Sequence, residues 1–218
     1  PRSRLNKESA TDASRSRLIL LAKNTEGYKN LIKLVTAAHF EGFYYKPRID
    51  KELIEKYKDG LICISPATNG DIARALQNED RERAKEEAAW YSRIFGPDHF
   101  YIEITDPEKL DLVKFAKDLG VPIVASQDVY YIHEDDAPAR KTLLSIQNTN
   151  WGDRGEIGNK DDDLSFGDPK KIDKKFTEEA LVNNEKIVAM CDLKLELGKW
   201  LFPAFVVESG LSHDDELR

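Results

Sequence analysis

The sequence is poor in the features that mark secreted and membrane proteins. It has only two cysteines, Cys63 and Cys191, and they lack CxxC spacing, so a disulfide framework is excluded. No apolar run approaches the roughly 20 residues that cross a bilayer. No basic region followed by an apolar stretch indicates a signal peptide. The sequence therefore predicts a cytoplasmic protein with no membrane contact.

Histidine is also scarce, and its spacing argues against a locally encoded metal site. None of the four histidines stands in an HxH or HExxH pattern: His39, His99, His133 and His213. A catalytic metal needs about three protein ligands held together. The chain also lacks a P-loop, a GxGxxG and a GxSxG motif, so it lacks the sequence signatures of those nucleotide-binding and hydrolase folds.

The charge is acidic, and methionine is nearly absent. Asp and Glu number 40 against 33 Lys and Arg, which gives a formal net charge of -7 over 218 residues. Net charge bears on solubility and steering, so it neither favours nor excludes a DNA-binding surface. Because the chain starts at Pro1 and has Met190 as its one methionine, we expect a processed product or a piece of a longer protein.

Four short apolar runs predict strands, and the segments between them predict helices. The runs are 18–22, 61–65, 100–105 and 121–126. The first, second and fourth are apolar nearly throughout, as parallel strands covered on both faces are. Alternation of this kind predicts an α/β sheet or barrel, and a closed barrel needs about eight strands. The sequence thus predicts most of a barrel whose first strands are missing.

Helical spacing predicts which side chains face the core. The predicted inward residues are Tyr28, Leu31, Ile32 and Val35 after the capping residue Asn24; Ala84, Ala88, Tyr91 and Phe95; Leu112, Phe115, Ala116 and Leu119; and Leu181, Ile187, Val188 and Cys191. A helix is also predicted over about 134–146. Residues 193–197 predict a short strand, and residues 150–170 predict a glycine- and aspartate-rich loop.

Asp128 is the most suggestive residue for chemistry. Ligand-binding groups in α/β folds collect at the carboxyl ends of strands. Asp128 follows the strand 121–126 directly, with Tyr130, Tyr131 and His133 behind it. A carboxylate in that place is a candidate metal ligand or proton-transfer group. The structural alternative is that Asp128 caps a turn or the next helix.

Two further segments allow a binding and a structural interpretation. Residues 43–48 mix aromatic rings with Lys46 and Arg48, which suits stacking on a nucleic acid and also suits packing of a loop on the domain, the favoured reading. Residues 161–163 are a run of three aspartates. They lack the glycine and the final glutamate of an EF-hand, which favours a solvated loop.

Two long phrases of the chain are the most specific, LLAKNTEGYKNLIKLV at 20–35 and EGFYYKPRIDKELIEKY at 41–57. They resemble one family, the PHP (polymerase and histidinol phosphatase) domain of the bacterial DNA polymerase III alpha subunit. VASQDVYYIHEDD at 124–136 resembles a strand and metal-site loop of the family, and LKLELGKWLFPAF at 193–205 resembles the exit toward the polymerase core. The resemblance implies a distorted (β/α)7 TIM-like barrel, with residues 1–206 as an amino-terminally incomplete PHP domain and 207–218 as the start of a linker.

The resemblance also implies a degenerate metal site. Members with an intact site commonly carry His where Arg17 stands, Cys or His where Ala67 stands, and His where Tyr130 stands. Only Asp128 keeps the residue type that binds metal in the family, and the resemblance implies that it is a vestigial ligand. Because arginine is permanently charged and repels a cation, we expect this domain to be structural and to hold no metal or other cofactor.

The resemblance implies partners as well. They are the rest of the polymerase alpha chain, a proofreading exonuclease subunit, other replisome subunits, and DNA through the parent protein, whose DNA polymerase activity uses Mg²⁺. Two alternatives stay open. One is an active PHP phosphoesterase or 3′–5′ exonuclease using Zn²⁺ or Mn²⁺. The other is a nucleic-acid-binding module, which needs a basic face.

Overall fold

The computed structural model describes residues 3–9, 15–106, 110–151, 163–168, 174–200 and 212–216. In these ranges the fold is α/β, with one mixed sheet whose strands lie in the order of the sequence: β1 (Ile19–Ala22), β2 (Leu61–Ser65), β3 (Phe100–Ile104) and β4 (Ile123–Ala125). The helices of the same ranges are α1 (Thr25–Phe40), α2 (Lys51–Lys56), α3 (Asp71–Gln77), α4 (Arg81–Phe95), α5 (Leu110–Asp118), α6 (Ala137–Trp151), α7 (Glu178–Met190) and α8 (His213–Glu216). All four predicted strands are present.

The strands do not all run in one direction. β2, β3 and β4 are parallel, whereas β1 is antiparallel to β2, with Ile19 opposite Ile64 and Ala22 opposite Leu61. The prediction of a parallel first strand is therefore wrong. An apolar run indicates that a strand is buried but not whether it is parallel or antiparallel to its neighbour. The burial itself is also incomplete, since β1 is half-buried while every residue of β2 is buried. Because β1 is reversed, its first residues lie beside the carboxyl ends of the other strands.

The described strands form an open sheet with helices on both faces. The (β/α)7 barrel that the resemblance implies stays a prediction. On one face a large apolar core packs against α3, α4 and α5, and its largest fully buried side chains are Phe100, Phe115, Ile72 and Ile102. On the other face Ile187 of α7 covers Ile62, Ile64, Tyr101 and Val124. The alternation of β2 between these two clusters explains why its sequence is apolar throughout.

The helix faces are confirmed in part. On α4 the predicted residues Ala84, Ala88, Tyr91 and Phe95 are all buried. On α5 the predicted Leu112, Phe115 and Ala116 are buried, but Leu119, one residue past the helix, is exposed. At α7, Ile187 is buried as predicted, whereas Val188 and the following Cys191 are exposed. The inward face of α7 contains Ala180 and Asn183 instead.

The predicted inward face of α1 is wrong by about 100°, the rotation of one helical residue. Tyr28, Ile32 and Val35 are exposed, and the buried residues are Gly27, Asn30, Leu34 and Ala38. A Cβ added at Gly27 would clash with the carbonyl oxygen of Gly60. α1 thus approaches the loop before β2 through its small and polar side, which hydrophobic spacing alone does not reveal.

The carboxyl-terminal part of the described chain also departs from expectation. Residues 193–197 form no strand, and the loop 150–170 lies largely outside the described residues, as do Asp161 and Asp162. α7 packs along β4, where the Asn183 and Asn184 amides donate hydrogen bonds of 2.9 Å to the carbonyl oxygens of Ile123 and Ala125. These bonds satisfy backbone acceptors of β4 that no described strand reaches.

None of the described helices is both long and apolar enough to cross a membrane.

Candidate functional site

A cleft of about 790 Å³ opens at the carboxyl end of the parallel strands. Pro66 and Thr68 line it after β2, Glu103 from the end of β3, and Asp128 beyond β4. Arg17 lines it from the start of β1, because that strand runs antiparallel to its neighbour. The sheet therefore gathers polar groups from four strands at one edge, as α/β folds do at their ligand sites.

The cleft is lined by a mixture of fixed charges. Its basic residues are Arg4, Arg15, Arg17, Arg48 and Arg83, and its acidic residues are Asp50, Asp71, Glu103 and Asp128. Five positive charges against four negative ones leave the cleft slightly positive, in a chain whose net charge is -7. The cleft is thus electrostatically unlike the rest of the chain.

The predicted site residues divide into two pairs. Arg17 and Asp128 both line the cleft. Ala67 and Tyr130 do not: Ala67 is buried beside it, and its backbone N–H donates a 3.0 Å hydrogen bond to Glu103 Oε2. Tyr130 is half-exposed, and the guanidinium carbon of Arg140 lies 4.3 Å from its ring centroid. The structure therefore places one guanidinium and one carboxylate of the predicted set in the cleft.

Glu103 and Asp71 are two of the cleft residues that the sequence did not predict. Glu103 was the single charged residue in an otherwise apolar strand, and it is the half-buried position of β3. That interruption is the signal that could have found it. Asp71 accepts a 3.0 Å hydrogen bond from the hydroxyl of Tyr91. Burial, and then the charge of Asp71, raise the pKa of Tyr91 above its usual range, so this hydroxyl stays a donor.

One wall of the cleft is braced by two arginines of low exposure. The Arg4 guanidinium contacts Asp50 at 3.1 Å and Glu41 at 2.8 Å. Arg48 donates hydrogen bonds to three backbone carbonyl oxygens, those of Gly42, Arg4 and Asn6. We call these residues the arginine brace: residues 3–9, Glu41, Gly42, Arg48 and Asp50. Arg48 serves packing, which supports the structural interpretation of segment 43–48.

Asp50 is the acidic centre of the arginine brace. Its carboxylate accepts hydrogen bonds from the backbone N–H groups of Arg4 and Leu53, and the latter bond caps α2. Burial acts to raise the pKa of Asp50, but these hydrogen bonds and the Arg4 guanidinium outweigh it and hold that pKa below its ordinary value. The carboxylate is therefore committed to structure and is not available as a metal ligand.

The described donors of the cleft do not fit a protein-bound Zn²⁺ or Mn²⁺. Among the residues that the structure describes, no three His, Cys, Asp or Glu side chains cluster so that they could hold a metal ion. Glu103 already accepts the Ala67 N–H, and Arg17 adds a permanent positive charge to the same space. A catalytic zinc site keeps about three protein ligands, and the described set falls short of that.

His99 lies at the opposite end of the sheet and has another partner. Its Nε2 is 2.7 Å from Nζ of Lys23, which follows β1. Burial and then the Lys23 charge lower the pKa of His99, which favours a neutral imidazole that accepts a hydrogen bond from the Lys23 ammonium. This pair joins the end of β1 to the start of β3. It is a structural contact distant from the cleft.

Comparison with known proteins supplies the family. The family model described as "PHP domain" matches residues 5–107. A DNA polymerase III subunit alpha from Borreliella burgdorferi is 38% identical over 80% of this chain and 16% of its own length. The subunit from Treponema pallidum is 33% identical over 95% of this chain, and that from Aquifex aeolicus is 32% identical over 100% of it.

The matched region is a small part of each relative. The alignments cover 16%, 19% and 20% of the three relatives, so this chain spans about a sixth to a fifth of their length. The PHP-domain match includes β1, β2, β3 and the arginine brace except for Ser3 and Arg4. Identity of 31–38% extends past that match to most of the described chain. The chain contains a PHP domain and is homologous, over most of its length, to bacterial DNA polymerase III alpha subunits.

Proposed function

We propose that this chain is the PHP-domain portion of a replicative DNA polymerase III alpha subunit and serves that subunit as a structural domain. The similarity to alpha subunits over 80–100% of the chain supports this assignment. The parent protein is then a cytoplasmic DNA-directed DNA polymerase of chromosome replication that uses Mg²⁺. This chain contributes architecture to that enzyme and does not itself polymerise or cleave DNA.

The observation that carries the structural role is that the described residues of the cleft include no donor set that fits a metal ion. Hydrolysis by a metal-dependent PHP enzyme needs a cation that activates water and stabilises the transferred phosphoryl group. Arg17 faces the same cleft as Asp128, Ala67 offers only a backbone N–H, and Tyr130 lies outside the lining. These replacements support a degenerate metal site of which Asp128 is the vestigial ligand.

The finer architecture and the partners belong to the same proposal. The domain would cover residues 1–206 in a distorted (β/α)7 barrel, with 207–218 leading into the polymerase core. Its partners would be the rest of the alpha chain, a proofreading exonuclease subunit and other replisome subunits, with DNA reached through the parent protein. The open sheet and its half-buried edge strand β1 support a domain that completes its packing against other structure.

The test is hydrolysis by the purified 218-residue chain supplied with Mn²⁺ or Zn²⁺. We expect the chain to cleave p-nitrophenyl phosphate and a 3′-labelled oligonucleotide no faster than an Asp128→Ala variant does. Asp111→Ala, an exposed carboxylate on α5, is the matched control. Metal-dependent turnover that survives Asp111→Ala and disappears in Asp128→Ala would instead establish the active phosphoesterase or 3′–5′ exonuclease.

A further inference from the structure

The end of α1 and the loop that follows it expose three aromatic rings within six residues. Phe40 is 85% exposed, Phe43 is 50% exposed and Tyr45 is 76% exposed. We call residues 40–46 the aromatic turn, and none of them lines the cleft. Soluble proteins expose single large apolar side chains routinely, but several together indicate a surface that binds a partner. The aromatic turn is therefore a candidate binding surface.

The backbone of the aromatic turn is strained at Tyr45. Its φ is +58°, in the left-handed region that bulky residues seldom adopt. The backbone N–H of Tyr44 donates a 3.2 Å hydrogen bond to the carbonyl oxygen of Lys46, so the chain reverses at Tyr45. Strained conformations of this kind are held by the surrounding structure and cluster at ligand-binding sites. The strain at Tyr45 is a second observation, independent of its exposure, that points to binding.

Packing explains only part of this segment. Tyr44 is half-buried, and the guanidinium carbon of Arg48 lies 5.5 Å from its ring centroid. Tyr45 contacts the Tyr44 ring edge-on, with centroids 4.7 Å apart, and still leaves three quarters of its own surface in solvent. Tyr44 and Arg48 therefore serve the fold, whereas burial accounts for neither Phe43 nor Tyr45.

The charges around the aromatic turn are mainly positive. Lys29 and Lys33 are exposed on α1, and Lys46 is exposed in the turn itself. The one carboxylate in the same stretch belongs to Glu41, and Nε of Arg4 lies 2.8 Å from it. A chain with a net charge of -7 thus concentrates positive charge beside its exposed rings. That charge is complementary to a polyanion.

We propose that the aromatic turn binds single-stranded DNA without sequence preference, with unpaired bases stacked on Phe43 and Tyr45 and a phosphate held by Lys46. Exposed rings beside lysines suit this ligand, because every base has a π-face and every nucleotide carries a phosphate. A duplex keeps its bases stacked inside, so it offers phosphates without a free base. The proposal rests on the proposed function only for the choice of DNA over RNA. The structural role of the domain stands if DNA does not bind.

The experiment is a titration of fluorescently labelled oligothymidylate with the 218-residue chain in EDTA, followed by fluorescence anisotropy. The comparison ligands are an abasic strand of the same length, which keeps the phosphates and lacks the bases, and a duplex of the same length. We expect oligothymidylate to bind saturably and at least about 10-fold more tightly than the abasic strand, the scale of one stacked base. Equal affinity for these two strands, or tighter binding of the duplex, would overturn the proposal.

The variants separate the rings from the backbone and from the charge. Tyr45→Asn removes the ring at a residue type that adopts the left-handed region readily. Combined with Phe43→Ala, it should weaken oligothymidylate binding at least about 10-fold and leave binding of the abasic strand unchanged. Lys46→Gln should instead reduce the slope of log affinity against log salt concentration by about 0.7, the share of one phosphate contact. Phe166→Ala is the matched control, because Phe166 is 69% exposed in another part of the chain.

Each remaining outcome decides for or against the site. Absence of saturable binding, unchanged oligothymidylate affinity in the double variant, or an equal loss in Phe166→Ala would overturn the proposal. Tighter binding of oligouridylate than of oligothymidylate would assign the surface to RNA and contradict the choice of DNA. If the double variant does not fold, the backbone amide chemical shifts of the unsubstituted chain decide. Perturbations by oligothymidylate centred on residues 43–46 support the site, and perturbations centred elsewhere contradict it.

Discussion

The centre of the sheet and the wall of the cleft are stabilised by different kinds of contact. In the centre, Phe100 stacks on Tyr91 with ring centroids 5.3 Å apart, inside a core of buried aliphatic side chains. In the arginine brace, guanidinium groups bind backbone carbonyls and carboxylates that are 6 to 46 residues away in the sequence. The first region depends on area removed from water and the second on satisfied polar groups.

That difference determines how each region is destabilised when one of its residues is replaced. A packed apolar centre fails when volume is lost, because the cavity left behind does not collapse fully. A polar wall fails when one partner is removed, because the groups left behind are buried without hydrogen bonds. The cleft lies on the polar wall, so its shape depends on contacts that hydrophobic pattern does not encode.

The largest expected effect comes from emptying the apolar centre. Phe100 is 1% exposed, and we expect Phe100→Ala to lower the free energy of unfolding by about 3–5 kcal/mol. Urea denaturation followed by circular dichroism measures the change. Phe40→Ala is the matched control, because Phe40 is 85% exposed and its truncation should cost little. Equal losses in the two variants would contradict the placement of the core.

The next effect comes from cutting the arginine brace. Arg48→Ala leaves three backbone carbonyls without their donor, and we expect a loss of about 1.5–3 kcal/mol. Arg48→Lys should recover only part of it, because an ammonium cannot reproduce the planar fork. Denaturation gives the loss, and limited proteolysis reports release of residues 3–9. Full rescue by Lys would show that charge alone matters at this position.

The apolar centre was largely predictable, and the cleft was not. β2 was predicted to the residue, because a strand buried on both faces has an unbroken apolar sequence. The direction of β1 was predicted wrongly, because the periodicity and polarity of a strand's sequence are the same whether the strand is parallel or antiparallel to its neighbour. The face of α1 was missed because Gly27 rather than a large side chain makes its closest approach.

Of the candidate site, Asp128 was predicted from its place after the fourth strand, and Arg17 only through the family resemblance. Arg17 and Asp128 stand 111 positions apart in the sequence, and nothing local to either indicates that they line one cleft. Glu103 was missed because a single charge in a strand also occurs at exposed edges. The contacts of Arg4 with Asp50 and Glu41 join distant segments, so only the folded chain reveals that Asp50 is already committed.

The smallest expected effect concerns the Lys23–His99 pair, a polar contact outside the cleft. The pKa of His99 is lowered by burial and by Lys23 from an ordinary value of 6.5. The unfolded chain therefore binds more protons than the folded chain near that pH, and stability falls as the pH drops below about 6.5. Above that pH the contribution is fully present. Thermal unfolding between pH 5 and 8 measures the slope.

The control for this slope is a pair of substitutions. His99→Gln should flatten the part of the pH dependence that lies just below pH 6.5, whereas His39→Gln should not, because His39 is exposed on α1. An unchanged slope in His99→Gln would assign the pH dependence to other groups. The Lys23–His99 contact would then contribute nothing measurable to joining β1 and β3.

The most direct measurement for the whole account is the metal content of the chain at equilibrium. The 218-residue protein is dialysed against micromolar Zn²⁺ or Mn²⁺ and analysed by mass spectrometry, beside Asp128→Ala and Asp111→Ala. Because the described cleft offers too few uncommitted donors and a permanent positive charge, the account predicts the same low metal content in all three proteins. Stoichiometric metal in the unsubstituted chain and in Asp111→Ala, lost in Asp128→Ala, would contradict it.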